Sequence, residues 1–318
     1  MHAHADALAR HIVQHHAHLR AGEACTEAQA RHDDDEALVA TLTRTHAEAA
    51  LAVLRASRQL GFVEEDAPCL ARAWVAQSQR TGHFDATHWP DDAQDFGLPA
   101  HPRAKAFAPC PRELGLYAVL PDAAWVARMA QAGVPTLQLR FKSDDPAAIE
   151  REVEAAVRAV QGTPARLFIN DHWRIAIDAG AYGVHLGQED MADAPLERIR
   201  DAGLRLGLST HGYAEMIRAD AVSPSYIALG AVFPTTLKRM KTAPQGLGRL
   251  HAYARLMRQH PLVAIGGIDP ARIADVMHSG VGSIAVVRAI TAEADPERAA
   301  RTLQDLMRAG REASENRL

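Results

Sequence analysis

The sequence predicts an α/β protein: a (β/α)8 TIM barrel preceded by a helical N-terminal extension. Two observations predict it. After Pro111, short apolar segments rich in β-forming residues alternate with helical stretches, the pattern of βαβ units and a parallel sheet. Eight such units share about 200 residues, which is compact enough for a closed barrel rather than an open, doubly wound sheet.

The extension, residues 1–99, has a different texture, alanine-rich and helical. Apolar residues recur at three- and four-residue spacing over 37–60 and stop at Gly61, as at a helix C-terminus. Asp33, Asp34, Asp35 and Glu36 put negative charge at that helix's start, where the dipole favours it. A second helix is expected over 66–78, with Asp66 as N-cap and Pro68 in the first turn. His11, His15, His16 and His18 cluster near the start. The i, i+4 spacing of His11 and His15 suits zinc, but no Cys or Glu set accompanies them, so a solvated histidine-rich helix is expected. Residues 82–111 are irregular, with 100–111 as the linker to a barrel over 112–318. Strands are expected at 114–120, 136–141, 166–170, 183–187, 204–210, 226–233, 262–267 and 283–290. Helices should lie at 122–132, 145–161, 194–202, 247–258, 270–278 and 295–308.

Composition narrows the function. The chain has 318 residues, 47% apolar and 23% charged, with net charge −4, so a nucleic-acid partner is not expected. Cys25, Cys69 and Cys110 are odd in number and far apart. They fit neither a disulfide framework nor a zinc ribbon, and point to a reducing cytoplasm. The start lacks a secretory pattern, and no apolar run nears the roughly 18 residues that cross a bilayer, so no membrane partner is expected. Whether the chain forms a homo-oligomer is left open.

In a barrel the chemistry sits at the C-terminal ends of the strands. The second strand would end Gln138-Leu139-Arg140-Phe141-Lys142, and period-two geometry would point Gln138, Arg140 and Lys142 one way, as a phosphate-binding edge. Asp171 and Asp190 end neighbouring strands. They suit a hard cation such as Mg²⁺, unless they cap the helices that follow. Residues 232–246 after the sixth strand carry hydroxyls and cations and could close over a charged substrate. Gly266-Gly267 and the run containing Arg288 follow strands seven and eight, where barrels often hold phosphate on backbone N–H groups.

From about residue 113 onward, the runs QLRFK (138–142), FIND (168–171), GVHLGQED (183–190), GLSTH (207–211), YIALGAVFPTTLK (226–238), APQGL (243–247), VAIGGI (263–268) and GVGSIAVVRAI (280–290) resemble the thiamine phosphate synthase family. The resemblance implies a transferase of thiamine biosynthesis. It would couple two small molecules, hydroxymethylpyrimidine diphosphate and hydroxyethylthiazole phosphate, into thiamine phosphate and diphosphate, with Mg²⁺. It also implies roles. Gln138, Leu139, Arg140, Phe141, Lys142, Asn170, Ser209 and Lys238 would bind the pyrimidine diphosphate, and Asp171 and Asp190 the metal. Thr235, Thr236, Leu237, Gly267, Val287 and Arg288 would bind the thiazole phosphate. Arg140, Lys142 and Lys238 would be the catalytic cations.

Two departures fall on the thiazole side. Leu237 replaces the second threonine of the family's Thr-x-Thr-Lys, and Arg288 stands where serine is usual; arginine can still grip phosphate. Two other readings compete. A tautomerase on the same barrel would use His211 as a base and would not need Lys238 or both aspartates. A catalytically silent barrel would have lost the charged strand ends, which this chain keeps.

Overall fold

In a computed structural model, eight parallel strands close into a barrel in sequence order. Residues 2–22, 25–43, 45–101, 103–235 and 242–315 are described. Before the barrel lie α1 (His2–His15), α2 (Asp35–Leu42), α3 (Ala47–Gln59) and α4 (Asp66–Thr81). The strands are β1 (Gly115–Leu120), β2 (Thr136–Leu139), β3 (Arg166–Asn170), β4 (Gly183–Leu186), β5 (Arg205–Thr210), β6 (Tyr226–Gly230), β7 (Leu262–Ile265) and β8 (Ser283–Val286). Between and after them run α5 (Ala123–Gln131), α6 (Pro146–Val160), α7 (Trp173–Asp178), α8 (Gln188–Asp193), α9 (Leu196–Asp201), α10 (Tyr213–Ala221), α11 (Gly246–Leu256), α12 (Ile273–Met277), α13 (Arg288–Thr291) and α14 (Pro296–Glu315). No helix of the described residues is long and apolar enough to cross a membrane.

Strand alternation sorts side chains into two cores. Outward residues such as Leu137, Leu139, Ile169, Val184 and Leu206 pack under the helices. Inward residues Tyr117, Val119, Phe168, Tyr226, Val263 and Ala285 fill the barrel. Two strand glycines make room for the rings. A Cβ on Gly207 would overlap the Tyr226 ring, and one on Gly183 would lie 2.6 Å from Phe168 Cε1.

The extension departs from expectation in three places. The helix expected over 37–60 is two helices, α2 and α3. Thr43 is extended, and its Oγ1 accepts from the N–H of Thr45 (3.2 Å) and His46 (3.1 Å), a local turn between the two helices instead of a continuation of α2. Asp66 does not cap its own helix: its Oδ1 accepts from Ala214 N (2.9 Å) at the start of α10, across to the barrel. His11, His15 and His18 are exposed, but His16 is buried beside Trp74 and Trp89. Its Nε2 meets Ala86 O (3.1 Å), and burial pulls its pKa down to about 4.

The linker is stapled to the barrel. His101 and His260 donate from Nε2 to Asp220 Oδ1 (3.2 and 2.7 Å), and Arg103 donates to Asp220 Oδ2 and to its main-chain carbonyl. Two histidines and a carboxylate are metal-site residue types, but Arg103 already neutralises this carboxylate, and the hydrogen bonds account for the cluster without an ion. Burial opposes the Asp220 charge, yet the bonds from His260, Arg103 and His101 outweigh it and hold the carboxyl down at about 2. A carboxyl depressed by folding adds stability above its ordinary value of 3.8, and that stability is lost as pH falls through about 2. Chemical denaturation at pH 7 should therefore find wild type more stable than Asp220→Asn by about 1–2 kcal/mol, discounted for screening, with the gap closing toward pH 2.

Candidate active site

The C-terminal strand ends surround a cavity of about 580 Å³. A hydrogen-bond chain crosses its floor. Gln138 Nε2 donates to Asn170 Oδ1 (2.8 Å), and Tyr117 OH donates to Gln138 Oε1 (2.9 Å). With its proton so used, Tyr117 accepts from Tyr226 OH (2.7 Å), so Tyr226 in turn accepts from His185 Nδ1–H (2.7 Å). His185 Nε2 then accepts from Ser209 OH (2.8 Å). One tautomer and one direction satisfy the whole chain. Full burial pushes both tyrosine pKa values well above the ordinary range, so both stay protonated donors. The rim is thereby polarised: Asn170 retains its amide protons and Ser209 its lone pairs.

Asp171 and Asp190 stand on the exposed rim and line the cavity. Asp171 takes a left-handed backbone (φ 63°), with its N–H bonded to His185 O (3.0 Å). The helix-cap alternative fails for both. The N-caps of α7 and α8 are His172 and Gly187, and Asp190 lies inside α8. The Asp171 carboxyl is pushed up by loss of water in the concave mouth and then by the neighbouring Asp190 charge, with His172 and Arg140 pulling the other way. Among the described residues neither aspartate forms a salt bridge. Two close carboxylates without an ion pair among the described residues, in a polar mouth, fit a hard divalent cation.

The cation edge differs from expectation. Strand β2 stops at Leu139, so Gln138, Arg140 and Lys142 do not share one strand. Arg140 N is held by Leu120 O (2.8 Å) and its side chain lines the cavity, whereas Lys142 is exposed and outside the lining. The Leu139 side chain is buried among the outer helices and Phe141 packs against that same core, so neither side chain faces the cavity. Across the mouth, Thr235, Gly267, Val287 and Arg288 line the cavity, and Ser209 does so from β5. Gly266 and Gly267 have φ of 107° and 63°, and a Cβ on Gly267 would lie 2.9 Å from that of Phe233, so glycine is required there. Thr236, Leu237 and Lys238 lie outside the described residues.

Tyr117, Tyr226, His185 and Arg272 also line the cavity and were not expected. The first three are legible as inward positions of their strands. Arg272 lies on the Phe233 ring (4.3 Å) and donates to Gly267 O, which the sequence did not signal. His211 is tied to Glu215 Oε2 (2.7 Å), the arrangement of a hydrogen-bonded loop histidine.

The family profile described as thiamine monophosphate synthase matches residues 116–290, more than half of the chain. The chain belongs to the thiamine monophosphate synthase family. The thiamine-phosphate synthase of Neisseria meningitidis serogroup A is 54% identical over 200 residues, covering 63% of this chain and 98% of that protein. The one from Cronobacter sakazakii is 53% identical over 206 residues, covering 65% and 98%. Among solved structures, thiamine phosphate pyrophosphorylase from Pyrococcus furiosus superposes with TM-score 0.55 at 26% identity, covering 63% of this chain and 98% of that one. The thiamine monophosphate synthase match begins within β1 and ends in α13, so the extension and linker lie outside it.

Proposed function

We propose that this chain couples the pyrimidine diphosphate to the thiazole phosphate, yielding thiamine phosphate and diphosphate, with Asp171 and Asp190 as ligands of Mg²⁺. Similarity to thiamine-phosphate synthases over 98% of their length supports the reaction. The observation that carries the site is the rim itself, where Arg140 and two neighbouring carboxylates share one cavity with the Asn170–Ser209 chain.

In this reading the C–O bond of the pyrimidine methylene breaks and its electron pair leaves with diphosphate. The thiazole nitrogen lone pair then forms the new C–N bond. Bound at the aspartate pair, a dication supplies positive charge to the leaving group. Arg140 adds fixed charge from the cavity wall, and the family resemblance assigns Lys142 and Lys238 to the same charge-stabilising task. Asn170 donates to the pyrimidine side and Ser209 accepts from it, their directions set by the chain through His185. Thr235, Gly267, Val287 and Arg288 line the side of the cavity assigned to the thiazole phosphate, the family resemblance adds Thr236 and Leu237 to that set, and Arg288 replaces a hydroxyl contact by a charged one. The three cysteines are free, which supports a reducing cytoplasm.

Expression in a thiamine auxotroph lacking its own thiamine-phosphate synthase should restore growth without thiamine. Well-expressed, folded protein that leaves the strain dependent on thiamine would refute the coupling reading.

A further inference from the structure

The extension reaches the base of the loop that follows β6 through one buried cation. Arg249, in the first turn of α11, is 3% exposed. Its Nε donates to Leu19 O (2.9 Å) and its Nη2 to Leu60 O (3.0 Å), both carbonyls of the extension. Its Nη1 donates to Gln245 Oε1 (3.0 Å), and the guanidinium lies 3.7 Å from the centre of the Phe62 ring. Gln245 is buried too; it also accepts from Tyr253 OH (3.1 Å). Its backbone N–H donates to Ala231 O (2.8 Å), and Gly246 N–H donates to Val232 O (2.8 Å). These two bonds pinch the loop's two ends together. Pro234 and Thr235, just inside the pinch, line the cavity.

We propose that the extension is a positioning element for the coupling reaction, acting through Arg249 and Gln245 on the stem of the β6 loop; this rests on the reaction proposed above. Three further contacts place the extension on the same side of the barrel mouth. Gly22 lies so close to Ala243 that a Cβ would come within 2.6 Å of the Ala243 Cβ. Gly248 passes against His18 O. Asp66 caps α10, which follows the strand that carries Ser209. The residue types fit the role. A planar guanidinium can serve three acceptors in different directions while stacked on a ring, whereas a lysine ammonium presents its donors from one point. The barrel's own relatives are covered over 98% of their length by a match of 200 residues. The extension therefore lies outside what those relatives share, and its carbonyls stand where this chain's buried arginine needs acceptors.

The test compares Arg249→Lys, Gln245→Met and Trp74→Phe in the full-length protein. Trp74 is a buried residue of the extension, bonded to Asp85 O (3.0 Å), and serves as a stability control. Steady-state constants for both substrates are measured alongside hydrogen exchange of the 242–249 segment. Arg249→Lys and Gln245→Met are each expected to raise KM for thiazole phosphate or lower kcat by about tenfold, because the stem shifts by a fraction of an ångström. Both should speed exchange at the Gln245 and Gly246 amides. Trp74→Phe should lower the melting temperature and leave kinetics and exchange at those amides unchanged. Wild-type kinetics and exchange in both stem variants would overturn the proposal, as would a Trp74→Phe effect equal to theirs. If Arg249→Lys does not fold, Gln245→Met decides, since it breaks the link and leaves Arg249 its extension carbonyls. Exchange is read without turnover, so an inactive wild type would refute the coupling reaction and still leave the brace tested.

Discussion

Asp171→Ala is expected to lower the coupling rate about 10³-fold and to leave the protein folded, with Asp190→Ala close behind it. The size follows from the task. Diphosphate leaves with concentrated negative charge, and removing one fixed electrostatic partner of such a charge costs about 10²–10³ in kcat. Losing half of a two-carboxylate site also weakens the cation itself. Stability should respond differently. Both aspartates are on the rim, neither caps a helix, and each repels the other. Without divalent cation, Asp190→Ala should melt at or slightly above the wild-type temperature, within about 0.5 kcal/mol, whereas Asp171→Ala should lose about 1 kcal/mol against that relief, because alanine tolerates the left-handed backbone at φ 63° less well than aspartate. Parallel melting curves and initial rates over a Mg²⁺ titration check this. A variant that loses rate only in proportion to folded protein would remove the aspartates from the chemistry.

Arg140→Ala should cost 10²- to 10³-fold in kcat, on the order of 3–4 kcal/mol of leaving-group stabilisation. Arg140→Lys should recover part of this, because an ammonium supplies charge without a bidentate fork. Lys142→Ala should cost less than Arg140→Ala, since Lys142 is exposed and outside the cavity lining. Initial rates with the pyrimidine diphosphate varied would separate the three. Equal losses for Arg140→Ala and Lys142→Ala would mean that the segment after β2 rearranges on binding.

Much of the barrel was legible because each strand carries its own local signal, an apolar β-rich run followed by a helix. Strand ends were overread by up to four residues, as at β2 and β8, because segments after the strand continue in β-like sequence and turn away in space. Helices α7 and α8, six residues each, went unread, being too short to show a full apolar period. In the extension, the 37–60 repeat runs straight across a break made by one threonine hydroxyl. The charged site residues could be listed from the strand ends, but their unequal placement could not. Arg140 and Lys142 look equivalent in sequence and differ only once β2 ends at Leu139. The Tyr117–Tyr226–His185 chain needs residues from β1, β4 and β6 together, and only closure of the barrel brings Tyr117 and His185 each within 2.7 Å of the Tyr226 hydroxyl. The partners of Asp66 and Arg249 depend on how the extension docks, which no local pattern encodes.

The central claim is a metal-assisted coupling in this cavity. The most direct measurement follows thiamine phosphate and diphosphate together, from purified full-length protein given both substrates, with Mg²⁺ or with excess chelator. The account predicts equal amounts of the two products, formed only with Mg²⁺ and nearly abolished by Asp171→Ala. Diphosphate released without thiamine phosphate, or coupling that proceeds undiminished in chelator, would contradict it.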